Sequence, residues 1–506
     1  MTATISQIRN TRINKVTKLL ELGINPYPSD SKKEYANREI VENFGSFEGK
    51  VVTVAGRLMS WREHGNIIFA HIQDQSGRIQ LFIKEKELEK TSPDKQTIGF
   101  DNLNLLDVGD FIQATGTTVK TLSGEVSVTP KEIKILTKSI MPLPSIWHGL
   151  KDIEERYRKR YLDMLLNDQV SKRLQSRSQI ITAIRHFFDE RGFLEVETPT
   201  LQPIYGGGFA RPFITHHNAL DTDFYLRISD EMYLKRLIVG GFQKVYEITK
   251  VFRNEGVDHD HNPEFTMFEA QIAFEDYNYG MDIVEELIEY VALKTTGGTE
   301  VSFGEHKLNF QRPWKRLKLT EAIKEYTGQD PESWKTEKEA KTAVKSMGIR
   351  EEKLKELSKM TKLGEVISFA FEEAVEEKLI QPTIVYDYPI EVSPLSKKCK
   401  DERFTQRFEI FAAGMELGNN YTELNDPIDL KQRFIEEKER EKAGFDEAHQ
   451  TDYDYLEAIE HGFPPTCGLG IGVDRLVMIL TGAQSIKEVI AFPTLKPKDI
   501  NESKDA

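Results

Sequence analysis

The sequence predicts an α+β protein of at least two domains, a small five-stranded β-barrel near the N-terminus and a larger domain that mixes strands with helices. Three observations carry this. The chain has 506 residues, beyond the size at which one hydrophobic core usually keeps growing. Between Val51 and Thr137 the apolar pattern is that of short strands. From about residue 150 onward, helical spacing alternates with strand-like runs.

Residues 1 to 22 carry helical periodicity, and Pro26 and Pro28 in INPYPSDS end it. Arg9, Arg12, Lys15 and Lys18 are spaced so that neighbouring pairs share one side of this helix, either a basic face for a polyanion or a solvated one. The runs VVTVAGRLMS, NIIFAHIQD, RIQLFI, DFIQATGTTVK and EVSVTPKEIKIL read as five strands. Gln75-Ser76-Gly77 and Ser123-Gly124 supply hairpin turns, and a helical piece is expected near KEKELEK. This is the pattern of a Greek-key barrel of the OB type, which commonly binds single-stranded nucleic acid. Arg62, Phe69, Gln80 and Glu125 are the candidate readout residues, because an aromatic on a barrel face stacks a base while polar neighbours address base edges. A strand Phe that belongs to the core has the same signature when taken alone.

MPLPSIWHGL, with Pro142 and Pro144, reads as a linker and divides the chain into residues 1–145 and 146–506. A charged helix follows in DIEERYRKRYLDMLL, then another from Ser171 to Arg191 with Ile180, Ile184 and Phe187 at helical spacing. Beyond Gly192 come FLEVETPTL, further strands, and helical segments around 320–378. The polar tail after Lys496 reads as disordered.

Composition narrows the chemistry. No run of about 18 apolar residues is present, and MTATISQIRN lacks the layout of a secretory signal, so no membrane association and a cytoplasmic location are expected. Cys399 and Cys467 cannot build a disulfide framework, and no Cys/His spacing suggests zinc, so a catalytic metal would be held by oxygen. The net charge of −14 excludes a protein that coats nucleic acid indiscriminately, though not one with a local basic face.

Three segments carry reactive side chains. In KVYEITKVFRNEGVDHDHNPEFTMFEAQIAF a strand crosses a polar loop and returns near Pro263, so that Phe265, Met267, Glu269 and Gln271 share a face while Arg253, Glu255 and His261 gather at the turn. Such a hairpin is able to grip a nucleotide, with Arg253 on phosphate, Phe265 under the base and His261 near the outer phosphates. In QRFEIFAAGMELGNNYTELNDP, Glu409 and Glu416 are natural oxygen ligands for Mg²⁺ beside a triphosphate, and Asn419, Tyr421 and Glu423 alternate along one wall. In GLGIGVDRLVMIL, Gly468, Gly470 and Gly472 thin a strand just before Arg475 opens a helix. Each pattern alone also fits ordinary surface or packing chemistry. Neither a GxGxxG fingerprint nor a GxxxxGK[ST] loop is present, so bound ATP would be held by arginines and strands.

In this order the segments resemble the class II aminoacyl-tRNA synthetases: GFLEVETPTL with Pro199 resembles motif 1, FRNEG with HNPEFTMFE motif 2, and GLGIGVDR motif 3. With the N-terminal barrel of subclass b, the resemblance covers nearly the whole chain. Stretches such as EMYLKRLIVGGF, QPTIVYDYPIEVSPLSK and TELND are similar to those of the lysyl-tRNA synthetases. That resemblance implies an antiparallel catalytic sheet flanked by helices, lysine activation by ATP with Mg²⁺, transfer to tRNA(Lys), and a homodimer formed through Pro199. It implies that Arg253 meets the α-phosphate and the lysine carboxylate, that Phe265 and Arg475 sandwich adenine, and that Glu255 and His261 assist there. Glu409 and Glu416 would hold Mg²⁺, and Gly207 and Glu231 would receive the α-amino group. Glu269, Gln271, Asn419, Tyr421 and Glu423, backed by Gly470 and Gly472, would form the side-chain pocket. Arg62, Phe69, Gln80 and Glu125 would read the anticodon.

A carboxylate at Glu423 suits an ε-ammonium and rejects aspartate or asparagine, since an unpaired buried charge costs about 3 to 5 kcal/mol. The family usually has Tyr where Gln271 stands. An amide still offers an acceptor, so lysine is expected to be retained with altered affinity or discrimination. Two alternatives remain at this point. A paralogue that lysylates a protein would resemble the catalytic domain alone, which the barrel counts against. A non-catalytic tRNA-binding protein on this scaffold would have lost Arg253, Arg475 or the metal carboxylates.

Overall fold

The computed structural model describes residues 4–144, 150–208, 210–442 and 452–498. The middle of the expected linker, 145–149, and the tail from 499 lie outside the described residues. The chain divides into two units, Met1–Lys151 and Asp152–Ala506.

In the first unit, alternation along the strands sends one set of side chains inward. Strands β1 (Val51–His64), β2 (Ile67–Gln73), β3 (Arg78–Lys84), β4 (Phe111–Lys120) and β5 (Val126–Thr137) close a barrel in the order β1-β2-β3-β5-β4. Ile68, Ala70 and Ile72 of β2 and Ile79, Leu81 and Ile83 of β3 are buried in its core, which turns Phe69, His71, Gln80 and Phe82 to the other face.

Two expectations for this unit are corrected. KEKELEK forms a turn, because Leu88 is its only apolar residue and no second one at helical spacing holds a helix to the barrel. The helical piece is instead a 3-10 turn at Phe100–Leu105, which buries Leu103 and Leu105. The N-terminal helix, Ile5–Glu21, begins at a Thr4/Gln7 capping box, but its basic residues do not form one outward face. Arg12 is buried and donates to the carbonyls of Val108, Ser139 and Met141, while Lys15 pairs with Asp107 at 2.8 Å. Only Arg9 and Lys18 of the four are exposed.

In the second unit the segment DIEERYRKRYLDMLL is two helices, Ile153–Arg158 and Arg160–Leu166. The break at Lys159 lets the buried Arg160 guanidinium reach Asp163 and the carbonyls of Ile490 and Ala491. The strands that follow are β6 (Leu194–Glu195), β7 (Leu201–Gln202), β8 (Ile214–His217), β9 (Thr222–Leu226), β10 (Lys244–Phe252) and β11 (Glu264–Ala273). After them come β12 (Glu300–Phe303), β13 (His306–Asn309), β14 (Lys315–Lys318), β15 (Thr383–Pro389), β16 (Phe404–Ala412), β17 (Met415–Thr422) and β18 (Thr466–Gly472).

Eight of these make one sheet, in the order β14-β15-β16-β17-β18-β11-β10-β6. Its interior pairs are antiparallel, but β14–β15 and β10–β6 are parallel, so the sheet is mixed at both ends. Connection length explains this. A parallel pair needs a crossover, and the helices between Leu319 and Ala374 supply one between β14 and β15.

Helices Asp168–Asp189, Tyr277–Thr296 and Val473–Thr481 bury apolar stripes against one face of the sheet, where Phe187, Phe188, Phe268 and Val477 are fully buried. The opposite face, over β11, β17 and β18, is left for polar side chains. Among the described residues no helix is long and apolar enough to cross a membrane.

Candidate functional site

Strand β11 lies between β10 and β18, and its period of two places Phe265, Met267, Glu269 and Gln271 in the wall of a cavity of about 390 Å³. The antiparallel register sets Glu269 opposite Gly470 and Gln271 opposite Gly468. One end of the cavity is cationic and the other is rich in carboxylates.

At the cationic end, Arg253 follows β10 and its guanidinium stands 5.2 Å from the centroid of the Phe265 ring. Its Nε is enclosed without a hydrogen-bond partner among the described residues. Burial lowers the Arg253 pKa, against the pull of Glu255, Glu416 and Glu269. Arg475, in the first turn of Val473–Thr481, donates to the Glu416 backbone carbonyl at 2.8 Å and lies 3.3 Å from His261 Nε2. His261 Nδ1 meets Asp258 at 2.9 Å. Glu255 and His261 sit in an exposed turn that lines the cavity. Two guanidinium groups, an aromatic plate and an imidazole thus converge, the donor set expected around a nucleotide polyphosphate.

The metal carboxylates are placed unequally. Glu416 lines the cavity. Glu409 is not in the cavity wall: its carboxylate accepts from Tyr388 Oη at 2.7 Å and is ion-paired with Arg407. Burial pushes Glu409 up to about 7 despite Arg407, and the nearby negative charge of Glu416 adds to the rise. Two mutually repelling oxygen donors of this kind fit a divalent cation. No cluster of three or more ligands exists among the described residues, so phosphate and water would complete the shell.

At the far end, Glu269 accepts from Ser229 Oγ at 2.9 Å. Burial raises it to about 7, helped by Glu231. Glu231 opens the helix Glu231–Val239 and meets both Tyr421 Oη and Lys235. Gly207, at φ +83°, lies so close that a Cβ would stand 2.7 Å from Ser229 Oγ. Glu423 is 1% exposed; its Oε1 accepts from Gln271 Nε2 at 2.8 Å and its other oxygen is ion-paired with Lys235. Burial pushes Glu423 up to about 8 even though Lys235 pulls it down. Gln271 is 2% exposed, and its Oε1 has no hydrogen-bond partner among the described residues. Asn419 is fixed by Arg407 Nε at 3.0 Å.

The three glycines of β18 differ in what they permit. A Cβ at Gly468 would stand 2.0 Å from Glu423 Oε1, and one at Gly470 would stand 3.0 Å from the Asn419 carbonyl. At Gly472 the nearest protein atom would be 3.7 Å away, so only a ligand lying there would require glycine.

Sequence reasoning missed Lys235, Arg407, Ser229 and Asp230. Lys235 stands four residues after Glu231, a spacing that puts both on one helix face and was available as a signal. Arg407 precedes Glu409 by two on a strand and shares its face for the same kind of reason. Nothing local marks Asp230, whose carboxyl oxygens are both buried without hydrogen-bond partners among the described residues.

On the barrel, Arg62 pairs in register with Phe69, Phe69 with Phe82, and His71 with Gln80. Phe69 is half-buried and stacks on Phe82, with centroids 5.1 Å apart and planes 10° apart. Glu125 accepts from Gln80 Nε2 at 2.5 Å and lies 2.7 Å from His71 Nε2. The four expected residues therefore share one outer face, joined by His71 and Phe82. The alternation from Phe69 to His71 and from Gln80 to Phe82 already carried that addition.

Residues 152–496 match the family of class II tRNA synthetases (D, K and N), and residues 52–136 match the OB-fold nucleic acid binding domain. The chain is 48% identical over 500 residues to the lysine–tRNA ligase of Thermoanaerobacter pseudethanolicus, covering 98% of each protein. It is 49% identical over 494 residues to that of Clostridium tetani, covering 97% of this chain and 96% of the relative. Against the lysine–tRNA ligase of Pelotomaculum thermopropionicum it is 47% identical over 496 residues, covering 98% and 96%.

Proposed function

The chain belongs to the class II lysine–tRNA ligases, and from that premise we propose how its own residues perform the reaction. It is an enzyme that activates lysine with ATP and esterifies tRNA. The observation that carries the assignment of roles is one cavity with guanidinium groups at one end and Glu231, Glu269 and Glu423 at the other. Such a cavity orients a substrate that is an acid at one end and an ammonium at the other.

Lysine's carboxylate attacks the α-phosphorus in line and pyrophosphate leaves; the terminal ribose hydroxyl of tRNA then attacks the adenylate carbonyl and AMP leaves. No side-chain nucleophile is needed, so the protein contributes positioning and charge. Arg253 holds the α-phosphate and the lysine carboxylate together, and its enclosed Nε leaves its donors to face substrate. Phe265 and Arg475 enclose adenine, with Glu255 and His261 at the base and the outer phosphates.

Glu409 and Glu416 would hold Mg²⁺, which when bound offsets phosphate charge. Gly207 and Glu231 take the α-amino group. Glu269, Gln271, Asn419, Tyr421 and Glu423 shape the side-chain pocket, with Gly470 and Gly472 behind it. Arg62, Phe69, Gln80 and Glu125 read the anticodon of tRNA(Lys). Assembly as a homodimer through the Pro199 segment and a cytoplasmic location belong to the same proposal.

Amino-acid-dependent ATP–pyrophosphate exchange tests it across the standard amino acids. Lysine is expected as the one strong substrate, and Arg253→Ala should lose exchange with it. Near-normal exchange in Arg253→Ala would refute the role given to that residue.

A further inference from the structure

Behind the carboxylate end of the cavity lies a cation that belongs to the protein. Lys235 is fully buried, is not part of the cavity wall, and is ion-paired with both Glu231 and Glu423. Its Nζ also lies 5.4 Å and 5.8 Å from the ring centroids of Tyr421 and Tyr455. Three carboxylates, Glu231, Glu269 and Glu423, line this end of the cavity. Asp230 is buried behind them, and burial, reinforced by Glu269 and Glu247, disfavours its charged form. When the three are ionised to receive lysine, Lys235 offsets one of them and two are left for the two ammonium groups of the substrate.

We infer that Lys235 is a positioning residue of the amino-acid pocket: its ion pair aligns Glu423 and favours the charged form of that carboxylate, so that Glu423 together with the unpartnered Gln271 Oε1 receives the substrate's distal ammonium. This rests on the assignment of Glu423 to the ε-ammonium. Gln271 completes the arrangement from β11. Its amide donates to Glu423 while its carbonyl stays unsatisfied in the wall, and a buried acceptor without a partner is costly until a donor arrives. Lys235 acts through these groups and does not touch substrate.

The groups that face the Lys235–Glu423 pair are Glu231 from the same helix, Tyr421 from β17, Glu269 and neutral Gln271 from β11, Cys467 from β18 and Tyr455 from Tyr453–Glu460. Burial pushes Tyr421, Tyr455 and Cys467 up, so all three stay neutral between pH 6 and 9. The carboxylates are therefore what titrates. Burial already lifts Glu423 to about 8 in the presence of Lys235. Without the cation it rises further, so expelling its proton on lysine binding at neutral pH costs more.

The test is Lys235→Met in the full chain, read by lysine-dependent ATP–pyrophosphate exchange from pH 6 to 9, with ATP affinity and melting temperature measured alongside. At pH 7 the KM for lysine should rise roughly 10- to 100-fold while kcat and ATP affinity change less than about threefold. The penalty should shrink as pH approaches 9. A lysine KM within about threefold of the parent, or a penalty equal at every pH as a purely structural defect would give, overturns the inference.

If Lys235→Met does not fold, the double variant Lys235→Met, Glu423→Gln removes both opposed charges. Its lysine KM should equal that of Glu423→Gln alone, because Lys235 works through Glu423; a further tenfold rise, roughly the size of an independent contribution, overturns the inference. Glu423→Gln with a parental lysine KM would instead remove the underlying assignment. Impairment in Glu423→Gln with a normal Lys235→Met removes the role of Lys235 alone.

Discussion

Gly468→Ala probes the floor of the amino-acid pocket without changing any charge. The added Cβ would stand 2.0 Å from Glu423 Oε1 and 2.9 Å from Gln271 Nε2, well inside the 3.4 Å at which ordinary contact begins. Strand β18 cannot retreat, because it is paired to β11 on one side and β17 on the other. The Glu423 carboxylate must swing instead, breaking its 2.8 Å bond from Gln271 and disturbing its pair with Lys235. Overpacking of this kind costs about 1 to 3 kcal/mol, and loss of a hydrogen bond to a charged group about 1.5 to 3. The overpacking lowers stability, while the lost hydrogen bond falls on the lysine pocket, so kcat/KM for lysine should drop roughly 10- to 150-fold. Lysine titration of ATP–pyrophosphate exchange measures this, with ATP affinity as the control, because the adenine end of the cavity is untouched. A kcat/KM within about threefold of the parent, with an unchanged melting temperature, would show that Glu423 does not lie over Gly468 as described.

Two further outcomes follow from the same geometry. Burial raises Glu269 to about 7 and Glu423 to about 8, and an ammonium selects the ionised form of each. The KM for lysine should therefore be highest at pH 6 and fall by roughly tenfold or more per unit as pH rises through 7 to 8, and a flat profile over that range contradicts the burial of these groups. On the barrel, Glu125→Ala removes the acceptor shared by Gln80 and His71. Aminoacylation measured at limiting tRNA should drop roughly 10- to 100-fold, while exchange in the absence of tRNA changes less than about twofold; unaltered aminoacylation would detach this face from tRNA.

Elements whose burial follows a local period were legible in advance. The five barrel strands, the Asp168–Asp189 helix and the hairpin that carries Arg253 and Phe265 each bury one face against a single neighbour, so their own residues record the pattern. Segments held by distant partners were not. KEKELEK has helix-forming residues but only Leu88 to bury. Arg12 looks like a surface cation in its helix and is instead buried by carbonyls about a hundred residues away in the chain. The parallel β14–β15 pair at one end of the large sheet depends on what the helices between Leu319 and Ala374 do in space, not on the strands themselves.

The site divides along the same line. The sequence by itself determined that Phe265, Met267, Glu269 and Gln271 share one wall, because alternation along β11 is set by the backbone and is indifferent to what lies opposite, whereas Glu409 was expected at the site and lies outside the cavity wall. It also determined the family, through motifs spread over nearly the whole chain. Only the tertiary structure decided how those side chains are charged and oriented. Glu423 meeting Lys235 and Gln271 is an encounter between segments far apart in sequence, and Arg407 is set between Glu409 and Asn419 by the pairing of β16 with β17. The physical reason is that an electrostatic environment is a sum over neighbours in space. A carboxylate such as Glu423 reads the same in any sequence, and becomes a partner for an ammonium only where burial, Lys235 and Gly468 hold it in place.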